Sequence, residues 1–379
     1  MRIIKRDSTR KLRIDLPLLI SVIMLSACGT VMIFSAGGAY SYARYNDAAY
    51  FVKKQIIWLF IGFIIMYITS KAPIKIFKSA TPILYAATLF LLILVLLIGF
   101  VGNGAKRWIS IGPLTIQPSE IAKIAIIMML AFYFSKYGNL ALEEKKRLTV
   151  FKFGTLIPIL IFAIPIFLVM LQKHLSCIII LGLLGLSITV AAGVNMRYIT
   201  SFCALGASGV TALALFTDYT KERITVWRNP EAYKLTGGWQ TLQGLMAIGS
   251  GGIFGVGLGK SVMKHCYVSE PANDMIFAIL CEETGFIGAI LTLLMFFFLI
   301  IRIIEISLRS DDVYSRLVAF GIASKMAIQV LLNVGVVTNS IPNTGISLPF
   351  FSYGGSSLLM IFFEMGIVLS ISKNAKITK

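Results

Sequence analysis

The sequence predicts an all-α polytopic integral membrane protein with about ten transmembrane helices. Three observations predict it. Of 379 residues, 57% are hydrophobic and 14% are charged, with a mean hydropathy of +0.85; a soluble domain carries about 25% charged residues to cover its surface. Apolar runs near the roughly 20 residues needed to span a bilayer recur along the chain. These runs are rich in Leu and Ile and do not alternate every second residue, as barrel strands would. Disordered, fibrous and disulfide-stapled folds are excluded by the same composition. The net charge of +18 would suggest nucleic acid in a soluble protein. In a membrane protein its distribution between the two sides is read first.

The runs cover 16–36, 55–70, 81–101, 120–137, 153–171, 176–191, 198–217, 274–301, 314–340 and 356–372. Backbone that faces lipid must satisfy its own polar groups, so each run is expected as a helix. Ten spans put both termini on one side. With the N-terminus inside, the inner segments hold 21 Lys and Arg and the outer ones 12, so both termini are predicted to be cytoplasmic. The chain reads as one membrane domain, 1–379. It has a basic inner stretch at 1–15, a long outer connection at 218–273 between the seventh and eighth spans, and an inner tail at 373–379. Leu25-Ser26-Ala27-Cys28 resembles a lipoprotein cleavage box, but nine further spans favour an uncleaved first helix. Of five cysteines, Cys28, Cys177, Cys203 and Cys281 fall in spans and Cys266 in the long outer connection. No CxxC pair occurs, and His174 and His265 are the only histidines. Neither a disulfide framework nor a metal cluster is indicated.

Three outer segments are long or oddly composed: 102–119, 218–273 and 341–355. Long connections in a compact membrane protein are usually functional. Trp108, Trp227, Trp239, Phe350, Phe351 and Tyr353 lie in them, as expected of re-entrant or interfacial structure that covers a site. The glycine cluster at 249–261 ends in Gly-Lys-Ser like a phosphate-binding loop, but Phe254 stands where that pattern needs glycine and no strand precedes it. Its glycines are expected to bend or pack closely, with backbone amides and Lys260 as candidate phosphate donors.

Ionisable residues inside spans are costly unless paired or used. Glu120 and Lys123, three apart on one helix face, either pair with each other or meet substrate. Asp274 opens the eighth span at the outer surface, with Ala278, Cys281 and Gly285 on the same face; it is either a helix cap or a functional acid beside space for a ligand or a close helix. Glu282 and Glu283 lie roughly 12–14 Å further along, and at least one is expected to meet Lys325 or Lys123.

Five ordered motifs then give the chain a likeness. They are GAKRWISIG at 104–112, QPSEIAK at 117–123, AIGSGGIFGVGLGKS at 247–261, NDMIFAILCEETGFIG at 273–288 and NTGISLPFFSYGGSSL at 343–358. Over nearly its whole length the chain resembles the SEDS family (shape, elongation, division and sporulation), and GTVMIFSA at 29–36 is most similar to the FtsW/SpoVE branch. The resemblance implies a peptidoglycan glycosyltransferase of the bacterial cytoplasmic membrane that polymerises lipid II at the outer face, for division or sporulation. It implies a class B penicillin-binding protein, a transpeptidase, as partner, among other division, elongation or sporulation proteins. It also implies that Asp274 is the essential acid and that Ser352, in the last motif, lies with substrate. The chain departs from the family pattern at Ala272-Asn273, where His-Thr is usual, at His174, where an acid is usual, and at Asn339, where glycine is usual.

The chemistry agrees with such a role. A sugar on polyprenyl pyrophosphate has a leaving group that needs charge neutralisation and no proton. One general base then suffices, where a glycoside hydrolase needs two carboxylates. The base takes a proton from the acceptor 4-hydroxyl as that oxygen displaces the pyrophosphate with inversion. Outer basic residues are expected at the pyrophosphate: Arg107 and Arg223 first, since Arg binds phosphate bidentately, then Lys260, with Lys106 beside Arg107. Each is alternatively an anchor for anionic lipid headgroups. No cofactor is required; a divalent cation, magnesium or manganese, would suit the pyrophosphate, although the sequence contains no metal cage. The lipid tail needs an apolar groove open to the bilayer. The alternatives are a lipid II flippase, for which the charges inside spans speak, and a non-catalytic scaffold for a transpeptidase.

Overall fold

The computed structural model describes residues 14–102, 105–111, 114–141, 151–194, 200, 218–265 and 267–373. Nine of the ten predicted spans are helices. They are α1 (Leu16–Tyr45), α2 (Tyr50–Lys71), α3 (Ile74–Ile98), α4 (Pro118–Ala141), α5 (Ile157–Leu171, entered through a π-helical turn at Phe151–Leu156), α6 (Leu175–Ala191), α9 (Ile276–Leu308), α10 (Val313–Val337) and α11 (Gly355–Ser372). The helices α7 (Asp218–Arg228) and α8 (Trp239–Gly251) belong to the long outer connection. The seventh span, 198–217, lies almost wholly outside the described residues, as do Cys203 and Cys266.

Packing confirms that alternate helix ends share a side. At one end, Arg302 near the close of α9 grips the α1 cap Asp15 through Nη2–Oδ2 at 2.7 Å and Nε–Oδ1 at 3.0 Å. Beside it, Ser370 and Lys373 at the end of α11 donate to Ala72 and Ser70 at the end of α2, and Thr81 of α3 bonds Tyr314 of α10 at 2.9 Å. These are the ends that the basic residues place inside. At the other end the three long connections meet one another, as described below.

Helix lengths exceed the apolar runs. α1 continues from residue 36 to Tyr45, where Asn46 turns left-handed (φ 54°) and its N–H closes on Tyr42 O at 2.9 Å. Hydropathy marks where the bilayer ends, whereas backbone hydrogen bonding carries the helix on into the headgroups. The first outer connection also departs from the all-helical expectation. It forms a three-stranded antiparallel sheet of β1 (Phe100–Gly102), β2 (Ala105–Ile111) and β3 (Leu114–Ile116) in the order β1-β2-β3. Trp108, Ile109 and Ser110 lie in β2 with the alternation of a half-buried strand, Ile109 buried and Ser110 exposed.

The fold's unusual element is α9. At Gly285 its backbone is non-helical (φ 67°, ψ −169°). The second outer connection supplies the missing bonds. α8 descends beside α9, with Gly251 against Cys281 O, and the chain returns through 252–265. Phe286 and Ile287 donate to Gly252 O and Ile253 O at 2.9 and 3.2 Å, and Val256 and Gly257 donate to Glu282 O and Glu283 O at 3.0 Å each. The connection is therefore re-entrant, and unwound backbone at membrane depth is satisfied by protein. A Cβ on Gly285 would lie 2.3 Å from Gly255 N, so only glycine fits there.

Candidate active site at the outer helix ends

Asp274 lies two residues ahead of α9. It does not cap that helix: the capping position is Met275, with no side-chain cap bond. The Asp274 carboxylate makes no hydrogen bond among the described residues, so the functional reading survives and the capping reading does not. Its neighbours hold the backbone instead. Tyr353 N donates to Ala272 O at 2.9 Å, and Ser352 Oγ donates to Asn273 O at 2.8 Å while accepting from Leu348 N at 2.7 Å. Asn333 Nδ2, on α10, donates to Asp274 O at 3.0 Å and to Ile346 O at 2.6 Å. Burial pushes the Asp274 carboxyl up to about 6, and Glu270 adds to this, against the pull of Arg107 and Arg223. A carboxyl so placed is a better base than an exposed one and is still ionised at neutral pH. The small residues beyond it make room for a helix: a Cβ on Gly244 of α8 would meet Met275 Sδ and Ala278 Cβ at 3.6 and 4.0 Å.

The same carboxylate feels both predicted arginines. Arg107, on β2, donates from Nη2 to Lys173 O at 2.7 Å, and its buried Nε finds no protein partner. Arg223, on α7, donates to Asn343 O, and Trp227 one turn on donates to Asn339 O at 2.9 Å. Lys106 is exposed; as the strand neighbour of Arg107 it points to the opposite face. Lys260 is exposed too, on the turn whose neighbours bond residues 282 and 283, about 12 Å along the helix from Asp274. The amides of Gly255, Val256 and Gly257 are spent on protein carbonyls, which takes these three from the candidate phosphate donors of the glycine cluster.

Other sequence candidates resolve as structure. Ser352 is buried with both hydrogen bonds on backbone, so it shapes the Asp274 segment and does not face substrate. Glu120 and Lys123 are buried and pair at 2.7 Å. Glu282 and Glu283 meet neither Lys325 nor Lys123. Glu282 accepts from Ser261 Oγ and from Val262 N at 2.9 Å, and Glu283 pairs with Lys264 at 2.8 Å and Ser35 at 2.6 Å. The re-entrant turn reaches the two glutamates before any lysine inside the bundle does. Lys325 pairs at 2.6 Å with Glu364 of α11, both fully buried. Glu364 was legible as an acid within an apolar run. Asn333 was legible as the third polar residue on one face of α10, after Lys325 and Gln329 at four-residue spacing. Gly345 was legible only as part of the motif at 343–358, and Glu270 only as part of the long outer connection.

Residues 16–377 match the FtsW/RodA/SpoVE family, described as cell cycle proteins. The chain belongs to this family. Stage V sporulation protein E of Bacillus subtilis (strain 168) is 38% identical over 372 residues, 97% of this chain and 100% of that protein. The probable peptidoglycan glycosyltransferase FtsW of Coxiella burnetii is 35% identical, over 97% and 98% of the two chains. Among solved structures, one chain of a peptidoglycan synthase complex that coordinates polymerization and crosslinking superposes with a TM-score of 0.80 at 26% identity, over 96% of this chain and 98% of that one. Thermus thermophilus RodA superposes at 0.70 and 25% identity, over 97% and 99%.

Two departures from the FtsW/RodA/SpoVE pattern now have a physical account. Asn339 adopts a left-handed conformation (φ 56°), which glycine takes freely and Asn tolerates better than most residues. His174 is buried next to Ser119, 3.5 Å from its hydroxyl. Burial pushes the imidazole down to about 3, and Arg107 and Lys123 push the same way. It is thus neutral and brings no opposite charge to Arg107. The groove expected for a lipid tail also has a candidate. A space of about 710 Å³ lies between one face of α1 (Val31, Phe34, Ser35, Gly38, Tyr42) and the returning turn at Leu258 and Lys264. Gly37, next to its floor, packs on Ala272, two residues from Asp274.

Proposed function

We propose that this protein polymerises lipid II into glycan strands at the outer face of the bacterial cytoplasmic membrane, as a peptidoglycan glycosyltransferase working with a class B penicillin-binding protein. The observation that carries the mechanism is the Asp274 carboxylate. It is half-buried, raised in basicity, without a hydrogen bond among the described residues and within the field of Arg107 and Arg223. In the reaction, Asp274 accepts the proton of the acceptor 4-hydroxyl. The oxygen attacks the anomeric carbon, the bond to pyrophosphate breaks with inversion, and the electron pair leaves with the polyprenyl pyrophosphate. Arg107 and Arg223 offset the charge gathering there. The groove along α1 receives a lipid tail. A divalent cation, magnesium or manganese, would add to the charge that Arg107 and Arg223 bring to the pyrophosphate.

The charges of Glu120, Lys123, Lys325 and Glu364 inside the bundle are paired with one another, which weakens the observation that favoured a flippase. The test is polymer formation from labelled lipid II by the purified protein with its transpeptidase. Wild type yields glycan chains and Asp274→Ala yields none at equal folding. Arg107→Ala lowers kcat by roughly 10²-fold or more, and Arg107→Lys restores part of it. Polymer from Asp274→Ala at the normal rate would overturn the base assignment. Transbilayer movement of lipid II without polymer would favour transport, and no chemistry at all would favour a scaffold.

A further inference from the structure

The segment 339–346 carries partners on nearly every residue. Asn339 O accepts from Trp227, Asn343 O from Arg223, Thr344 O from Ser176 of α6, and Ile346 O from Asn333. Asn343 Oδ1 further accepts from Gly345 N at 3.2 Å. It therefore ties the α7 arginine to the loop that touches the base. The touch is at Gly345, in the left-handed region (φ 68°): a Cβ there would lie 2.9 Å from Asp274 Oδ2. Asn333 closes the link from below, because one amide nitrogen bridges the carbonyls of Asp274 and Ile346. Both partners accept, so the nitrogen has to face them. Oδ1 is then buried with no partner, a cost that an apolar residue at this fully buried position would avoid.

We infer that Asn333 and Gly345 are positioning residues for the glycosyl transfer, fixing the Asp274 carboxylate against the loop that also holds Arg223. The inference rests on Asp274 being the base. Asn333 holds the backbone on either side of the contact. Gly345 leaves the carboxylate room to point at the acceptor, with no side chain to turn it aside. A displacement of about 1 Å at a reacting group costs on the order of 10²-fold in rate, and neither residue needs to touch substrate to impose it.

The test compares kcat and KM for lipid II in Asn333→Ala, Gly345→Ala, Asp274→Asn and wild type, each purified with its transpeptidase and checked by thermal unfolding in detergent. The expected result is a fall in kcat on the order of 10²-fold in both positioning variants, with KM within about threefold of wild type, since groups that act only on the reacting atoms change kcat and leave binding alone. If Asn333→Ala does not fold, Gly345→Ala decides, because it keeps every hydrogen bond of Asn333. Folded variants with wild-type kcat, or with KM raised and kcat unchanged, would overturn the positioning role. Asp274→Asn at the wild-type rate would overturn the base itself. An inactive Asp274→Asn beside a fully active Gly345→Ala and Asn333→Ala would sink the positioning role alone.

Discussion

At Asp274 the fold holds a carboxyl at about 6, above the ordinary 3.8, chiefly through burial. A base with this value loses activity as protonation sets in, so kcat/KM should rise with pH through about 6 and level off above it. A pH–rate profile between 4.5 and 8 checks this. The stability consequence has the opposite direction. A carboxyl whose folded value is raised favours the folded state when protonated; that contribution is complete below about 4 and is lost as pH rises through about 6. Asp274→Asn, which mimics the protonated form, should therefore raise the melting temperature at pH 7.5 and have little effect near pH 4, while abolishing polymerisation. Equal melting temperatures at both pH values would refute the burial account. Asp274 was legible from its place at the outer end of an apolar run and from its motif. Its contacts were not, because Gly345 and Asn333 lie 71 and 59 residues away in sequence.

Among the elements, broken α9 and the re-entrant turn depend on each other. Glu283 has no exposed side-chain surface and Lys264 little, and they pair at 2.8 Å beside Ser35 of α1. Lys264→Ala would leave the carboxylate buried and unpaired, a loss of about 3–5 kcal/mol. Lys264→Met with Glu283→Leu should recover much of it. Melting temperatures of wild type and the two variants in detergent test the coupling, and an unaltered Lys264→Ala would show that water already reaches the glutamate. The sequence displayed the glycines at 249–259 and 285 as two clusters but not as mutual partners. Gly255 and Gly285 approach until neither has room for a Cβ, and only the folded chain shows which backbone each glycine must admit.

Across the molecule, α10 and α11 are pinned to each other by the buried Lys325–Glu364 pair, where lipid-facing packing alone would leave them free to slide. The pairs Glu120–Lys123 and Lys325–Glu364 feel each other's charge and are electrically neutral as a set. Lys325→Met should destabilise by about 3–5 kcal/mol and Lys325→Met with Glu364→Leu by less; a double-mutant cycle on unfolding measures the difference. Additivity of the single losses would mean that the pair is not coupled. The sequence alone located the nine spans that are described as helices, and it pointed to a sidedness and to the family, because bilayer thickness sets span length and the excess of inner Lys and Arg orients the chain. Its motifs also singled out Asp274 and Arg107, and its surplus of outer basic residues singled out Arg223. Tertiary structure decided which charges pair, that Ser352 and the glycine cluster serve the backbone, and that the first outer loop is a sheet. Those outcomes turn on distances of a few ångströms between segments far apart in the chain, and only close packing of the assembled helices fixes such distances.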